Sequence, residues 1–316
     1  MRVSVGIPTN NRAATLRKTL EGYARQEGDH RLLEVLVIDD GSEDDTEAVV
    51  RQFGHESVLP VRYLRQEKLG ISAARNYVLR EAKGELLLFG DDDIIPSPGM
   101  VAEHVAWHNT YPGPEVGVLG HVTWARELRP TPFMEWAGHN GPQFSFALFK
   151  PGKEVDFRYG YFCNTSVKIC FLKQNGFFSE SFRQYGWEDL EYSYRLSQKG
   201  YRLLYNPAAV GYHYKYEKFE NTRQRVQKMY ESWPEFAKTE AGQRFLQLWR
   251  AQGAQDNAGI KRLIRALLKP LKSAAVPVFR PLLDTQIPLP GWLYRRIFYH
   301  SIKPFSEYIA GENESR

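Results

Sequence analysis

The chain has 316 residues, of which 42% are hydrophobic and 25% charged, with two cysteines. A chain of this size buries a full core without disulfide staples, and the composition excludes a wholly disordered, collagenous or coiled-coil protein. The net charge of +5 is unevenly spread: residues 1–213 hold 24 basic and 27 acidic side chains, residues 214–316 hold 18 and 10. The excess positive charge therefore lies in the last third, which points to an anionic partner there.

Short apolar runs occur at 3–7, 33–38, 61–64 and 85–89, with stretches of helical length at 13–26, 44–53 and 72–82 between them. The runs are nearly continuous rather than alternating, as in strands buried on both faces. In the first helical stretch Leu16, Leu20 and Tyr23 share one face. The alternation predicts an α/β fold with a parallel sheet and helices on both sides. A helix over 97–109 and a strand over 117–124 follow. Residues 125–160 are aromatic and rich in Gly and Pro without a clean period, and read as a long functional loop or small subdomain. A strand at 162–167, a helix at 187–199 and short strands at 201–204 and 209–214 complete the pattern. Beyond 214 the chain turns helical and basic. Cys163 and Cys170 form no CxxC pair and suit a reducing compartment. No apolar run reaches the roughly 18 residues of a spanning helix, so a cytoplasmic protein, or one peripheral to the inner face of the membrane, is expected.

Ligands of such sheets bind at the carboxyl ends of the strands, and the polar strings PTNNR, DDGS and GDDD all fall there. Asp91 and Asp93 are alternate residues of an extended segment and can converge on a hard cation, Mn²⁺ or Mg²⁺; the plain alternative is a solvated acidic turn. Asp39, just past a buried strand, can accept from a ribose hydroxyl or a base N–H, or simply form an Asx turn. The small-residue loop Gly70-Ile71-Ser72 opens a helix and offers free N–H groups, with Arg75 adding a planar fork for a diphosphate; otherwise it is an ordinary helix start. Gly186-Trp187-Glu188-Asp189 opens a helix where acids are common for dipole reasons, but one of them can act as a general base beside a metal. His213 ends a strand and can complete a metal shell. Glu191 and Arg195 are expected to pair along a helix. His104 and His108, without the acid of an HExxH motif, are expected on the surface. Neither GxGxxG nor a P-loop is present.

Taken in order, PTNNR, VIDDGS, GISAARN, FGDDD, GWEDLEYSYRL and YNPAAVGYH resemble the inverting family 2 glycosyltransferases of the GT-A fold over residues 1–213. The resemblance implies a catalytic domain at 1–213, with a nucleotide-binding half at 1–110 and an acceptor half at 111–213, and a helical extension at 214–316. It places Asp39 at the uracil, Pro8, Thr9 and Arg12 along the nucleotide, and Arg75 at the diphosphate. Asp91 and Asp93 become the metal pair, Asp92 meets ribose or sugar, and His213 is the third metal ligand. Asp189 becomes the base, with Glu188 its rival, and Asn164 and Trp187 lie on the acceptor side. The family's usual aspartate after GGF is missing, since the chain reads Asn175-Gly176-Phe177-Phe178-Ser179 there. The implied activity is metal-dependent transfer of a sugar from a UDP- or dTDP-linked donor to a glycan or lipid-linked acceptor in cell-surface polysaccharide synthesis. A sugar nucleotidyltransferase is the alternative, although PTNNR lacks the expected glycines. A non-catalytic sugar-nucleotide-binding scaffold is another, against which the intact Asp91, Asp93 and Asp189 speak.

The basic tail carries one further signal. Ile260, Leu263, Ile264, Leu267, Leu268 and Leu271 form one helical stripe, flanked by Lys261, Arg262, Arg265, Lys269 and Lys272. The segment 259–281 is thus expected to lie on an anionic membrane surface or to pack on the catalytic domain. No nucleic-acid partner is expected.

Overall fold

The computed structural model describes residues 1–28, 32–182, 186–256 and 278–302. Strands β1 (Val3–Thr9), β2 (Leu32–Asp40), β3 (Val61–Gln66) and β4 (Leu86–Gly90) alternate with helices α1 (Ala13–Ala24), α2 (Thr46–Glu56) and α3 (Ile71–Glu81). Alternate strand residues point to opposite faces. Accordingly Val35, Val37, Leu86 and Leu88 pack under α1 and α2, while Leu36, Ile38, Leu87 and Phe89 pack under α3. Both faces are dry, which is why the runs read as continuous.

After β4 come β5 (Ile94–Pro96), α4 (Met100–Thr110), β6 (Val116–Trp124), α5 (Pro132–His139), β7 (Asn164–Lys168), α6 (Ile169–Asn175), α7 (Glu188–Ser197) and β8 (Arg202–His213). The eight strands form one sheet in the order β3-β2-β1-β4-β7-β6-β8-β5. Pairings among β1 to β4 and of β6 with β8 are parallel, whereas β7 runs antiparallel to β4 and β6, and β5 antiparallel to β8. The sheet is thus mostly parallel, as expected, with β7 and β5 the antiparallel strands. The two short strands expected at 201–204 and 209–214 are a single strand. Its register against β6 slips between Gly120 and His121, so that Gly120 faces Asn206 and His121 faces Val210. A Cβ on Gly120 would lie 2.2 Å from Asn164 Nδ2 and 2.5 Å from the Ala209 carbonyl, so the irregularity needs glycine there.

His104 and His108 are buried, not on the surface. The His104 ring bridges Ser166 Oγ at 2.8 Å and Asn164 Oδ1 at 2.9 Å, and His108 Nε2 also meets Ser166 Oγ. Burial moves the pKa of His104 down to about 4 and that of His108 to about 3, so both are neutral links between α4 and β7. The expected Glu191–Arg195 pair is present at 2.6 Å.

Past His213 the described chain is helical: α8 (Phe219–Glu231), α9 (Trp233–Ala237), α10 (Glu240–Asp256) and α11 (Gly291–Ser301). These helices share cores with the earlier part. Phe219 and Val226 of α8 and Ile297 and Phe298 of α11 pack with Phe133 and Trp136 of α5. Trp187 stacks on Phe236, with ring centres 4.7 Å apart. The apolar stripe at 260–271 lies outside the described residues. Among the described residues no helix is long and apolar enough to cross a membrane.

Candidate active site

The carboxyl ends of β1, β2 and β4 and the start of α7 converge on two adjoining cavities. The first, of about 640 Å³, is a groove lined by Pro8, Thr9, Arg12, Asp40 and Asp91-Asp92-Asp93. The second, of about 340 Å³, is lined by Arg75, Asp189 and a largely aromatic wall including Tyr159, Tyr161 and Trp187. Ile71, Asp91, Gln143, His213 and Arg225 line both.

Local chain geometry fixes the groove. Asn11 adopts a left-handed φ of 55°, a conformation asparagine tolerates better than most residues. Its N–H donates to Ser42 Oγ at 2.8 Å, and its Oδ1 accepts from the N–H groups of Glu43 and Asp44. The loops after β1 and β2 are thereby clamped together. Gly41, at φ 75°, lies where a Cβ would come within 3.1 Å of the Lys68 nitrogen.

The adjacent aspartates of DDGS both face inward to protein partners. Asp39 is fully buried; its oxygens accept from the Ser42 N–H at 2.7 Å and the Tyr63 hydroxyl, and Arg65 lies 3.7 Å away. Asp40 accepts from Gln66 Nε2 and the N–H groups of Leu69 and Gly70, holding the loop that opens α3. Only Asp40 of the two lines the groove.

The acidic run divides its partners. Asp92 accepts from Thr9 Oγ1 at 2.8 Å. Arg12 bonds Asp93 and lies 3.7 Å from Asp92. His213 Nε2 is 3.4 Å from Asp93 Oδ2. Burial raises the pKa of Asp91 to about 7 against the pull of Arg75, with Asp93 and Asp92 adding to the rise. Asp92 is raised to about 7 by burial and by Asp93. Asp93 moves down, because His213 and Arg12 outweigh its burial.

This donor set suits a divalent cation in kind: hard carboxylate oxygens and an imidazole nitrogen. Trp124 stacks on the His213 ring at 5.0 Å and 15°, fixing its plane, and the buried His213 Nδ1 has no partner among the described residues. Asp93 and His213 would hold the ion, with Asp91 facing the same cavity. As the side chains stand, no three such groups gather to ligating distance among the described residues, and the positive charge beside Asp92 and Asp93 is that of Arg12.

Arg75 is almost fully buried and turns toward α7. It bonds Asp189 Oδ1 at 2.5 Å, lies 3.5 Å from Glu188 and 4.0 Å from Asp91, and donates to the Phe162 carbonyl. Asp189 Oδ2 accepts from the Phe162 N–H at 3.3 Å. Glu188 bends back to its own loop, accepting from the Gly186 N–H at 2.9 Å. Burial raises the pKa of Asp189 to about 7; Arg75 lowers it, while Glu188 and Asp91 raise it. A carboxylate titrating there is poised to accept a proton near neutrality.

The two acceptor-side expectations separate. Trp187 lines the aromatic cavity and donates to the Met229 carbonyl. Asn164 lies within the sheet, its amide donating to the carbonyls of His121 and Ala209. Residues not singled out from sequence also line the site, notably Gln143, Lys215, Glu217, Arg225 and Lys228. The spacing of Asn221, Gln224, Arg225 and Lys228 marks one helical face, although such a polar face ordinarily reads as solvated.

Comparison with known proteins bears on the family and the fold. The profile of glycosyl transferase family 2 matches residues 4–162. Validoxylamine A glucosyltransferase of Streptomyces hygroscopicus subsp. jinggangensis is 33% identical over 222 residues, covering 63% of this chain and 52% of the relative. Chondroitin synthase of Escherichia coli is 28% identical over 254 residues, covering 71% and 36%. The chain thus spans about half the length, or less, of these relatives. Among solved structures, a mannosyltransferase from Pyrobaculum calidifontis in complex with GDP-Man and Mn²⁺ aligns with a TM-score of 0.60 at 18% identity, covering 99% of this chain and 88% of that one. TarS of S. aureus in complex with UDP-GlcNAc aligns with a TM-score of 0.57 at 20% identity, covering 98% and 92%. The fold is therefore the GT-A fold, and the chain belongs to glycosyl transferase family 2.

Proposed function

We propose that the chain transfers a sugar, with inversion, from a nucleoside-diphosphate donor to an acceptor hydroxyl. The observation that carries this reading is the junction of the two cavities. A groove walled by Pro8, Thr9, Arg12 and Asp91-Asp92-Asp93 opens there onto an aromatic pocket holding Asp189. The nucleotide lies along the groove and the acceptor in the pocket, so the anomeric carbon sits between them.

The acceptor hydroxyl has a pKa far above 7 and needs a base as it attacks. Asp189 supplies it, held in place by Arg75 and the Phe162 N–H. The acceptor oxygen bonds to the anomeric carbon, the bond from that carbon to the diphosphate oxygen breaks, and the proton passes to Asp189. One displacement from the opposite face inverts the centre. A bound Mn²⁺ or Mg²⁺ would offset negative charge on the leaving diphosphate; Asp93 and His213, with Asp91, are the residues to hold it. The tyrosines and the tryptophan lining the pocket suit a sugar ring, which favours a glycan or lipid-linked acceptor of surface-polysaccharide synthesis. Residues 1–213 form the catalytic domain in this reading. The donor base is uracil or thymine.

Release of UDP or dTDP from candidate donor sugars, with Mn²⁺ and then with excess EDTA, tests the proposal. Nucleoside diphosphate that appears with the metal and stops with EDTA is the expected result. Release of pyrophosphate would instead indicate nucleotidyl transfer, and no turnover of any donor would favour a binding scaffold.

A further inference from the structure

A diphosphate entering the groove needs positive charge that is not already spent. Among the described residues four cations line the groove: Arg12, Lys215, Arg225 and Lys228. Arg12 is engaged by Asp92 and Asp93, and Lys215 pairs with Glu217 at 2.7 Å. Arg75, in the adjoining pocket, is committed to Asp189 and Glu188. Arg225 and Lys228 make no ion pair among the described residues.

Arg225 is more than a surface cation. Its Nη2 is buried without a hydrogen-bond partner among the described residues, and the side chain lines both cavities. Buried polar groups are normally satisfied, so each exception needs a reason. Five of the nine such atoms among the described residues, Arg75 Nε, Gln143 Oε1, His213 Nδ1, Glu217 Oε2 and Arg225 Nη2, belong to residues lining the two cavities; the other four, on Ser72, His108, Tyr201 and Arg296, lie elsewhere. Such clustering marks a place prepared for a polar ligand.

Helix α8 presents this charge deliberately. Asn221, Gln224, Arg225 and Lys228 follow spacings of three, one and three, so they share a face. The opposite face carries Phe219 and Val226 into the core with Phe133 and Phe298, which fixes the helix rotation. The bond from Trp187 Nε1 to the Met229 carbonyl ties the same helix to α7 and hence to Asp189.

We propose that Arg225 and Lys228 bind the diphosphate of the donor, so that the helices after β8 complete the donor site while Arg75 serves the base. This rests on the donor-groove reading above. Calorimetric titration of the full chain with UDP, dTDP and GDP, and with the three monophosphates, in EDTA and in Mn²⁺, tests it. The wild-type chain is expected to prefer one diphosphate over its monophosphate. A hydrogen bond to a charged group is worth enough that Arg225→Gln should weaken diphosphate binding by roughly 10-fold or more, with monophosphate binding within about twofold of wild type. Arg225→Lys should recover part of the loss. Lys228→Gln, at an exposed position that does not threaten folding, should give a smaller loss in the same direction.

Diphosphate affinity unchanged in the Arg225→Gln, Lys228→Gln double variant would overturn this assignment and leave the donor groove standing. Equal losses for mono- and diphosphate would also overturn it, since the helix would then act on the groove as a whole. Binding of a phosphorylated lipid acceptor that falls while nucleoside-diphosphate binding holds would move the two cations to the acceptor and overturn their donor role. A wild-type chain that binds none of the nucleotides would overturn the donor-groove reading and this assignment together.

Discussion

Replacing Arg75 with Gln separates two roles for this residue. Sequence alone sends it to a diphosphate; the structure buries it among Asp189 at 2.5 Å, Glu188 at 3.5 Å and Asp91 at 4.0 Å. Removing one partner of a buried ion pair typically costs about 3–5 kcal/mol, because an uncompensated charge is left behind. Proton uptake limits that cost here. Burial already holds Asp91 and Asp189 at about 7, and Arg75 lowers both, so without it both pKa values rise further. Each unit of rise is worth about 1.4 kcal/mol. A carboxylate with a raised folded pKa loses stability as pH climbs through that value. The destabilisation by Arg75→Gln is therefore expected to be smaller at pH 6, where the acids can be protonated, and to approach the full few kcal/mol near pH 9. Urea unfolding in EDTA at both pH values reads this directly. The base should also titrate higher, so the activity profile should move toward alkaline pH. A variant within about 1 kcal/mol of wild type at both pH values, with nucleoside-diphosphate binding sharply weakened, would refute the reasoning and return Arg75 to the diphosphate.

The other predictions follow from the same geometry. Asp189→Asn should lower kcat by roughly 10²–10⁴ as a general base is lost, while Glu188→Gln, whose side chain faces its own loop, should cost less; the reverse order would make Glu188 the base. Wild-type kcat should rise with pH through about 7, the value to which Asp189 is raised, since its ionised form is the active one; a profile flat from pH 5 to pH 9 would contradict this. His213→Ala should raise the Mn²⁺ concentration needed for half activity, and an unchanged titration would leave His213 a packing partner of Trp124. Ile297→Ala, fully buried between α11 and α5, should destabilise the chain by about 2–5 kcal/mol as measured by urea unfolding; a smaller loss would mean that the C-terminal helices are not part of the folded unit.

The first half of the fold was legible because β1, β2 and β4 are buried on both faces and its helices show one apolar stripe. The second half was less so. Strand β5 is three residues long and α6 seven, too short to show a period. Helix α5 did carry a signal within the aromatic stretch: Thr131 caps it by accepting from the Met134 N–H, with Pro132 in the first turn. The antiparallel placement of β7 depends on contacts far apart in the chain, such as Phe89 opposite Thr165. At the candidate site, the polar strings at the strand ends do come together around the two cavities, but partners decide roles. Nothing in GISAARN says that Arg75 turns toward Asp189, or in VIDDGS that both Asp39 oxygens are met by Ser42 and Tyr63. Arg225 was invisible because a polar helical face looks alike whether it borders water or a groove.

The central claim is a single displacement at the anomeric carbon with Asp189 as base. The direct measurement is the anomeric configuration of the glycosidic bond formed between an α-linked UDP- or dTDP-sugar and an added hydroxyl acceptor, read by proton NMR, in the wild-type chain and in Asp189→Asn. The account predicts a β product together with free nucleoside diphosphate, both lost in the variant. An α product, or a β product formed at the wild-type rate by Asp189→Asn, would contradict it.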